Sequence, residues 1–368
     1  MNYQRIVVKL GTSTLTAGAP RLSTSSLFDL VRQVAKLHED GSQVVLVSSG
    51  AIAAGREALN FPELPRFIPA KQMLAAVGQP RLMTLYQQFF GMYAMNVAQV
   101  LLTRADISDR RRYLNARNTL DALLVQRIIP IINENDTVAT DEIRFGDNDA
   151  LSAQVANLVE ADLLVILTDQ SGLFTNDPRR DASAQLISTV EPPDIPEEVW
   201  KAAGGTSSSL GTGGMLTKLL AADLARRSGV TVVIAGGKEP DVLLRVAAKK
   251  QVGTRLLPVV TKLESRKRYL LAGRRSSGLL VIDDGAVHAL AQGGSLLPVG
   301  VVKVEGSFER GDTVRVDALS GKDVALGLAN YPAKDLASLC GRQSSEIETI
   351  LDYTMGDEVI HRNNMFLL

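Results

Sequence analysis

Apolar residues in the first 240 positions come in two textures. Short continuous runs occur at Ile6-Val7-Val8, Val44-Val45-Leu46-Val47, Val97 to Leu102, Ile128 to Ile132, Leu163 to Leu167 and Val230 to Ala235. They have the length of strands and no polar face. Between them the spacing becomes helical: positions 27, 28, 30, 31, 34, 35 and 37 are apolar, and a helix is predicted from Ala51 onward. Strands that are apolar on both faces belong to a parallel sheet covered by helices. The alternation predicts an α/β fold, an α/β/α sandwich with a mainly parallel sheet.

The texture changes after residue 276. Leu279 to Ile282, Val299 to Val304, Asp312 to Val316 and Val324 to Leu328 are short strand candidates separated by Gly and Asp turns, which predicts a small β-rich domain. Charge marks the same boundary. Residues 1–260 carry 27 basic and 26 acidic groups, 261–275 carry six and one, and 276–368 carry seven and thirteen. The expected division is a domain over 1–260, a basic linker over 261–275 and a second domain over 276–368.

Composition removes several function classes. Of 368 residues 45% are apolar and 22% charged, as in ordinary soluble proteins. Lys+Arg and Asp+Glu are both 40, so bulk electrostatics give no hold on nucleic acid or anionic lipid. Cys340 is the single cysteine, so no intramolecular disulfide can form. No apolar run reaches the roughly 18 residues of a membrane helix, and no signal-peptide pattern is present. The expectation is a cytoplasmic protein without a membrane partner.

In open α/β sheets ligands bind beyond the carboxyl ends of the strands. Those ends read Lys9-Leu10-Gly11-Thr12-Ser13, Ser48-Ser49-Gly50, Asn133-Glu134-Asn135-Asp136 and Thr168-Asp169-Gln170-Ser171-Gly172. Asp147-Asn148-Asp149 opens a further helix after Gly146, and Gly211 to Lys218 is a Gly-rich stretch opening another. Each has a plain alternative: a helix cap, an acidic answer to a helix dipole, a solvated strand end, a flexible loop. Six of them on one sheet edge point together to phosphate, because glycines let backbone N–H groups approach an anion and lysines supply charge. GxxxxGK[ST] and GxGxxG are both absent, no GxSxG elbow occurs, and His38, His288 and His361 lack metal-ligand spacing.

Val8 to Ser13, LLVILTDQSGLFTNDPR at 163–179 and Gly211–Lys218 with Ala221-Ala222 resemble the amino-acid kinase family, which uses ATP without a P-loop. SSGAIAAG at 48–55, INENDTVAT at 132–140 and FGDNDA at 145–150 are similar to the branch of that family that phosphorylates glutamate. The C-terminal part, GLLVIDDGA at 278–286 and GGSLLPVGV at 293–301, resembles a PUA domain, a small β-barrel. The resemblance implies ATP-dependent phosphorylation of the γ-carboxylate of L-glutamate, the first step of proline biosynthesis, with Mg²⁺ arriving on ATP. It implies Lys9, Lys218 and Asp147 as catalytic residues, Asp147 being the carboxylate expected to hold the two ammonium groups. Ser49, Asp136, Asn148 and Asn133 are implied for glutamate. Lys9, Gly11, Thr168, Asp169, Thr212, Gly213, Gly214, Met215, Leu216, Thr217 and Lys218 are implied for ATP, with no protein-held metal. Proline as a feedback inhibitor, a homo-oligomer and a hand-off to glutamyl-phosphate reductase are further implications. RNA is not an expected partner, since the excess of acid in 276–368 repels phosphate. Two other readings stay open at this point: a sister kinase acting on another small acid, and an RNA-associated protein acting through its C-terminal domain.

Overall fold

The computed structural model describes residues 3–65, 67–139, 148–204, 214–261, 264 and 278–368. The chain divides into two compact units, residues 1–108 with 115–262, and residues 109–114 with 263–368.

The first unit is built on an eight-stranded sheet. Its strands are β1 (Arg5–Leu10), β2 (Gln43–Ser48), β3 (Val97–Leu102), β4 (Ile129–Glu134), β5 (Leu163–Thr168), β6 (Thr189–Val190), β7 (Thr231–Gly236) and β8 (Thr254–Leu256), in the order β3-β4-β2-β1-β5-β7-β8-β6. Every pairing is parallel except β7 with β8. The helices are α1 (Thr12–Thr16), α2 (Thr24–Glu39), α3 (Ala51–Ala58), α4 (Ile68–Gly91), α5 (Arg104–Ser108), α6 (Arg110–Val125), α7 (Asn148–Leu158), α8 (Glu197–Ala202), α9 (Met215–Arg226) and α10 (Val242–Ala247).

Strand alternation decides which side chains meet which layer. Ile6, Val8 and Leu10 of β1 share a core with Leu27, Leu30 and Val34 of α2, Leu82 and Phe90 of α4, and Val242 of α10. Val7 and Lys9 therefore face the opposite layer, where α7 packs against β1 and β5, and α9 against β7 and α7. Helices on both faces give the expected α/β/α sandwich. β1 lies between β2 and β5, so a polar side chain on it is buried wherever it points.

Two glycines set the approach of α3 to α4. A Cβ at Gly55 would lie 1.9 Å from the carbonyl oxygen of Leu74, and one at Gly78 would lie 1.8 Å from that of Ala51. Only bare backbone permits this contact, and it lays α4 across the first turn of α3. The helical stretch expected from Ala51 onward is thus two crossed helices. β3 has its predicted bounds, whereas β1, β2, β4, β5 and β7 run one or two residues past their predicted carboxyl ends, which makes Ser48, Asn133, Glu134 and Thr168 strand residues.

The second unit holds a five-stranded sheet in the order β10-β9-β11-β12-β13, with β9 (Gly278–Ile282), β10 (Val301–Gly306), β11 (Thr313–Ala318), β12 (Asp323–Leu328) and β13 (Met365–Leu367). β9 and β11 are parallel and the other pairs antiparallel. Leu280, Ile282, Val314, Val316, Tyr331 and Ile360 are among its core residues. β13 has no counterpart in the predicted strands, because three residues are too few for an alternation to register.

Candidate functional site

A cavity of about 770 Å³ opens beyond the carboxyl ends of β1, β2, β4 and β5. Lys9 enters it from the middle of the sheet and is 4% exposed. The first turns of α7 and α9 meet Lys9 there. Asp149, fully buried in the first turn of α7, forms an ion pair with both lysines: Lys9 Nζ lies 2.5 Å from Oδ1, and Lys218 Nζ donates to Oδ2 at 3.3 Å. Thr217 Oγ1 donates to the same Oδ2 at 2.7 Å. One carboxylate thus holds two ammonium groups that would otherwise repel.

The electrostatics follow from burial and pairing. Desolvation lowers the Lys9 pKa despite Asp149, and the charge of Lys218 pushes it the same way. Burial alone would raise the Asp149 carboxyl, but the two lysines and the Thr217 hydroxyl outweigh it and hold it below the usual carboxylate range. Gly11 keeps the space beside the array open: a Cβ there would lie 3.3 Å from Lys9 Nζ.

The other end of the cavity is polar, with amide and hydroxyl groups beside the charged Asp136, Glu134, Lys71 and Arg56. Asn148, the residue before Asp149, donates through Nδ2 to Ser49 Oγ at 2.9 Å and to Asn133 Oδ1 at 3.0 Å. Asn133 Nδ2 donates to Gln79 Oε1 at 2.8 Å. Burial raises the Asp136 carboxyl to about 6, with Lys71 drawing it back. Ser49, Asn133, Asn148 and Asp136 all line the cavity, as do Gly11, Asp169 and Lys218. Thr168 is buried at the end of β5 and donates through Oγ1 to Asp169 Oδ1 at 3.0 Å. Gly214 caps α9, and Met215, Leu216 and Thr217 form its first turn. Asp147, Thr212 and Gly213 lie outside the described residues.

Asp149, Gln79, Lys71, Arg56 and Glu134 were not singled out from the sequence. Asp149 was within reach of sequence reasoning, since it shares a run with Asp147. The joint role expected of Asp147 is filled among the described residues by Asp149.

Comparison with known proteins agrees with this architecture. The model of the amino acid kinase family matches residues 4–236, and that of the PUA domain matches residues 278–351. Similar proteins carrying the name glutamate 5-kinase include one from Shewanella amazonensis, 53% identical over 367 residues that span 100% of this chain and 96% of that one. One from Haemophilus influenzae is 50% identical over 370 residues, the whole of both chains. One from Vibrio campbellii is 52% identical over 366 residues, covering 99% of this chain and 96% of that one.

Proposed function

The chain belongs to the amino acid kinase family, and from that premise we propose that it transfers the γ-phosphoryl group of ATP to the γ-carboxylate of L-glutamate. The observation that carries the reading is the buried Lys9–Asp149–Lys218 array facing a pocket of amide, hydroxyl and carboxylate groups. A γ-carboxylate is already a nucleophile at neutral pH. Its oxygen forms the new bond to phosphorus while the bond to the ADP oxygen breaks, and no proton needs to be removed. The task left to the protein is to bring two anions together and to stabilise charge on the phosphoryl oxygens. Lys9 and Lys218 supply that charge, fixed in advance by Asp149.

Around this centre, Gly11 and the start of α9 from Gly214 to Lys218 would receive the phosphates. Thr168 and Asp169 would lie on the nucleoside side. Thr212 and Gly213 join them in this reading by resemblance alone. Mg²⁺ would come with ATP. Asp169 is a carboxylate lining the cavity and would face an ion held mainly by phosphate and water. Asp136 would take the α-ammonium of glutamate, and Ser49, Asn133 and Asn148 its carboxylate end. The same reading gives catalysis to residues 1–260, joined through 261–275 to the PUA domain in 276–368. It makes proline a competitor for the glutamate pocket. Because an acyl phosphate hydrolyses in water, it also favours a hand-off of product to a reductase, and the resemblance adds a homo-oligomer to the reading. No described helix is long and apolar enough to cross a membrane, and the excess of acidic groups in 276–368 argues against RNA.

Trapping the acyl phosphate with hydroxylamine tests the reaction. Hydroxamate should form from glutamate and ATP, and far more slowly from aspartate, acetylglutamate or carbamate. Preference for any of those three would assign the site to a sister kinase.

The Asp136 assignment has its own signature. An Asp136→Ala variant should raise the glutamate KM by roughly 30-fold or more, as for a lost partner of a hydrogen-bonded charge pair, and leave the ATP KM near normal. The intact protein should show a limb in kcat/KM for glutamate near pH 6, falling on the acid side. Protonation of Asp136 removes the ion pair, whereas glutamate keeps its own carboxylates ionised through that range. The Asp136→Ala profile should lose the limb. An equal loss for both substrates would place Asp136 in the scaffold.

A further inference from the structure

Gln79 sits in α4 and is not among the residues lining the cavity. It is buried, and the Gly78 contact with Ala51 brings it beneath the end of β4. Its side chain begins a run of hydrogen bonds that has one possible direction. The backbone N–H of Glu134 can only donate, and at 2.9 Å it fixes Oδ1 of Asn133. Asn133 Nδ2 must then point to Gln79, which meets it with Oε1 at 2.8 Å. The fixed Oδ1 also accepts from Asn148 Nδ2 at 3.0 Å, and that nitrogen donates onward to Ser49 Oγ at 2.9 Å. A hydroxyl oxygen that accepts keeps its own proton for another partner. Ser49 lines the cavity, so its O–H is presented there as a donor, suited to a carboxylate.

We propose that Gln79 is a positioning residue for substrate: its carbonyl oxygen anchors Asn133, and through Asn133 and Asn148 it fixes the Ser49 hydroxyl as a donor to the carboxylate end of glutamate. The proposal rests on the glutamate reading above. Without the Gln79 oxygen, Asn133 Nδ2 is left buried and unpaired, and the side chain turns to find a partner. That turn withdraws the acceptor from Asn148 and loosens Ser49. Gln79 Nε2 has no hydrogen-bond partner among the described residues, so only the oxygen is in use.

The test is a mutant cycle in the full-length protein. Gln79→Met keeps the volume and removes the acceptor. It should raise the glutamate KM about tenfold, the scale of one lost hydrogen bond to a buried group, with the ATP KM and kcat changed less than twofold. Gln79→Glu keeps an acceptor oxygen and should restore glutamate KM to within about threefold of the starting value. Ser49→Ala and the double variant Ser49→Ala/Gln79→Met should have the same KM within a factor of about two, because residues acting through one chain do not add. An unchanged KM in Gln79→Met, multiplied losses in the double variant, or equal damage from Glu and Met would each overturn the proposal. If Gln79→Met does not fold, Gln79→Leu takes its place in the same cycle. A starting protein that makes no glutamate hydroxamate would instead overturn the glutamate reading.

Discussion

Replacing Asp149 with asparagine should cost about a thousandfold in kcat and destabilise the first unit by about 3–5 kcal/mol, the range for a buried charge pair broken on one side. The shape change is minimal, so the effect is electrostatic. In the native chain Asp149 pairs with the Lys9 ammonium through Oδ1 and accepts from Lys218 and Thr217 through Oδ2. An asparagine keeps one acceptor oxygen and puts an N–H₂ group where the other was. One lysine then faces a donor, and both buried lysines lose their counter-charge. Lys9 already lies below its ordinary pKa because burial outweighs the pull of Asp149. Without the carboxylate its folded value falls further below that of the unfolded chain. The unfolded chain then binds more protons, so stability rises with pH. The melting deficit of Asp149→Asn should therefore narrow from about pH 7 to about pH 10, as the lysines of the unfolded chain lose protons. In the native chain the depressed Asp149 pKa has the opposite placement. Its contribution is full above the usual carboxylate range and is lost as pH falls through the folded value. A variant with near-native turnover, or a deficit that widens with pH, would show that the lysines are held by something other than Asp149.

The sheet was legible because its strands are apolar on both faces, a pattern that a parallel sheet covered by helices demands and a half-solvated sheet cannot carry. The polar ends of those strands were legible for the same reason: Lys9 and Ser49 stand out against such a background. What stayed hidden depends on geometry across distant segments. Gly78 and Gly55 read as ordinary helix residues, yet their missing side chains set the α3–α4 crossing. Gln79 lies between Gly78 and a proline in a helix with a weak apolar stripe, and nothing local shows that it meets Asn133, 54 residues away. Choosing between Asp147 and Asp149 needed the start of α7, and helix starts depend on capping that a single run of Asp and Asn leaves open. The cavity chemistry was thus readable as residue types at strand ends, while the hydrogen bonds that orient them were not.

Lys218→Ala should lower kcat about a thousandfold while moving the glutamate KM less than threefold. Lys218 opens α9 at the cavity wall, its ammonium fixed by Asp149, on the side where the chain from Gly214 to Thr217 begins the helix. A positive charge there interacts with ground-state phosphate, but it interacts more strongly as charge spreads over the oxygens of the transferring group. An interaction that strengthens in the transition state appears in kcat. Loss of one prearranged donor to such charge costs about 100- to 1000-fold, and an ammonium in a water-excluded site belongs at the upper end. In the proposed reading glutamate is held by Ser49, Asn148 and Asp136 rather than by Lys218, so its KM has no reason to follow. The fold should tolerate this change better than Asp149→Asn, because Asp149 keeps Lys9 and Thr217 as partners. Two measurements separate the roles: steady-state kinetics in both substrates, and melting temperature with and without ATP. A collapse of the melting temperature without ligand would make Lys218 chiefly a structural counter-ion. An unchanged kcat would remove it from the transition state, and the charge on the phosphoryl group would then have to be met by Lys9 alone.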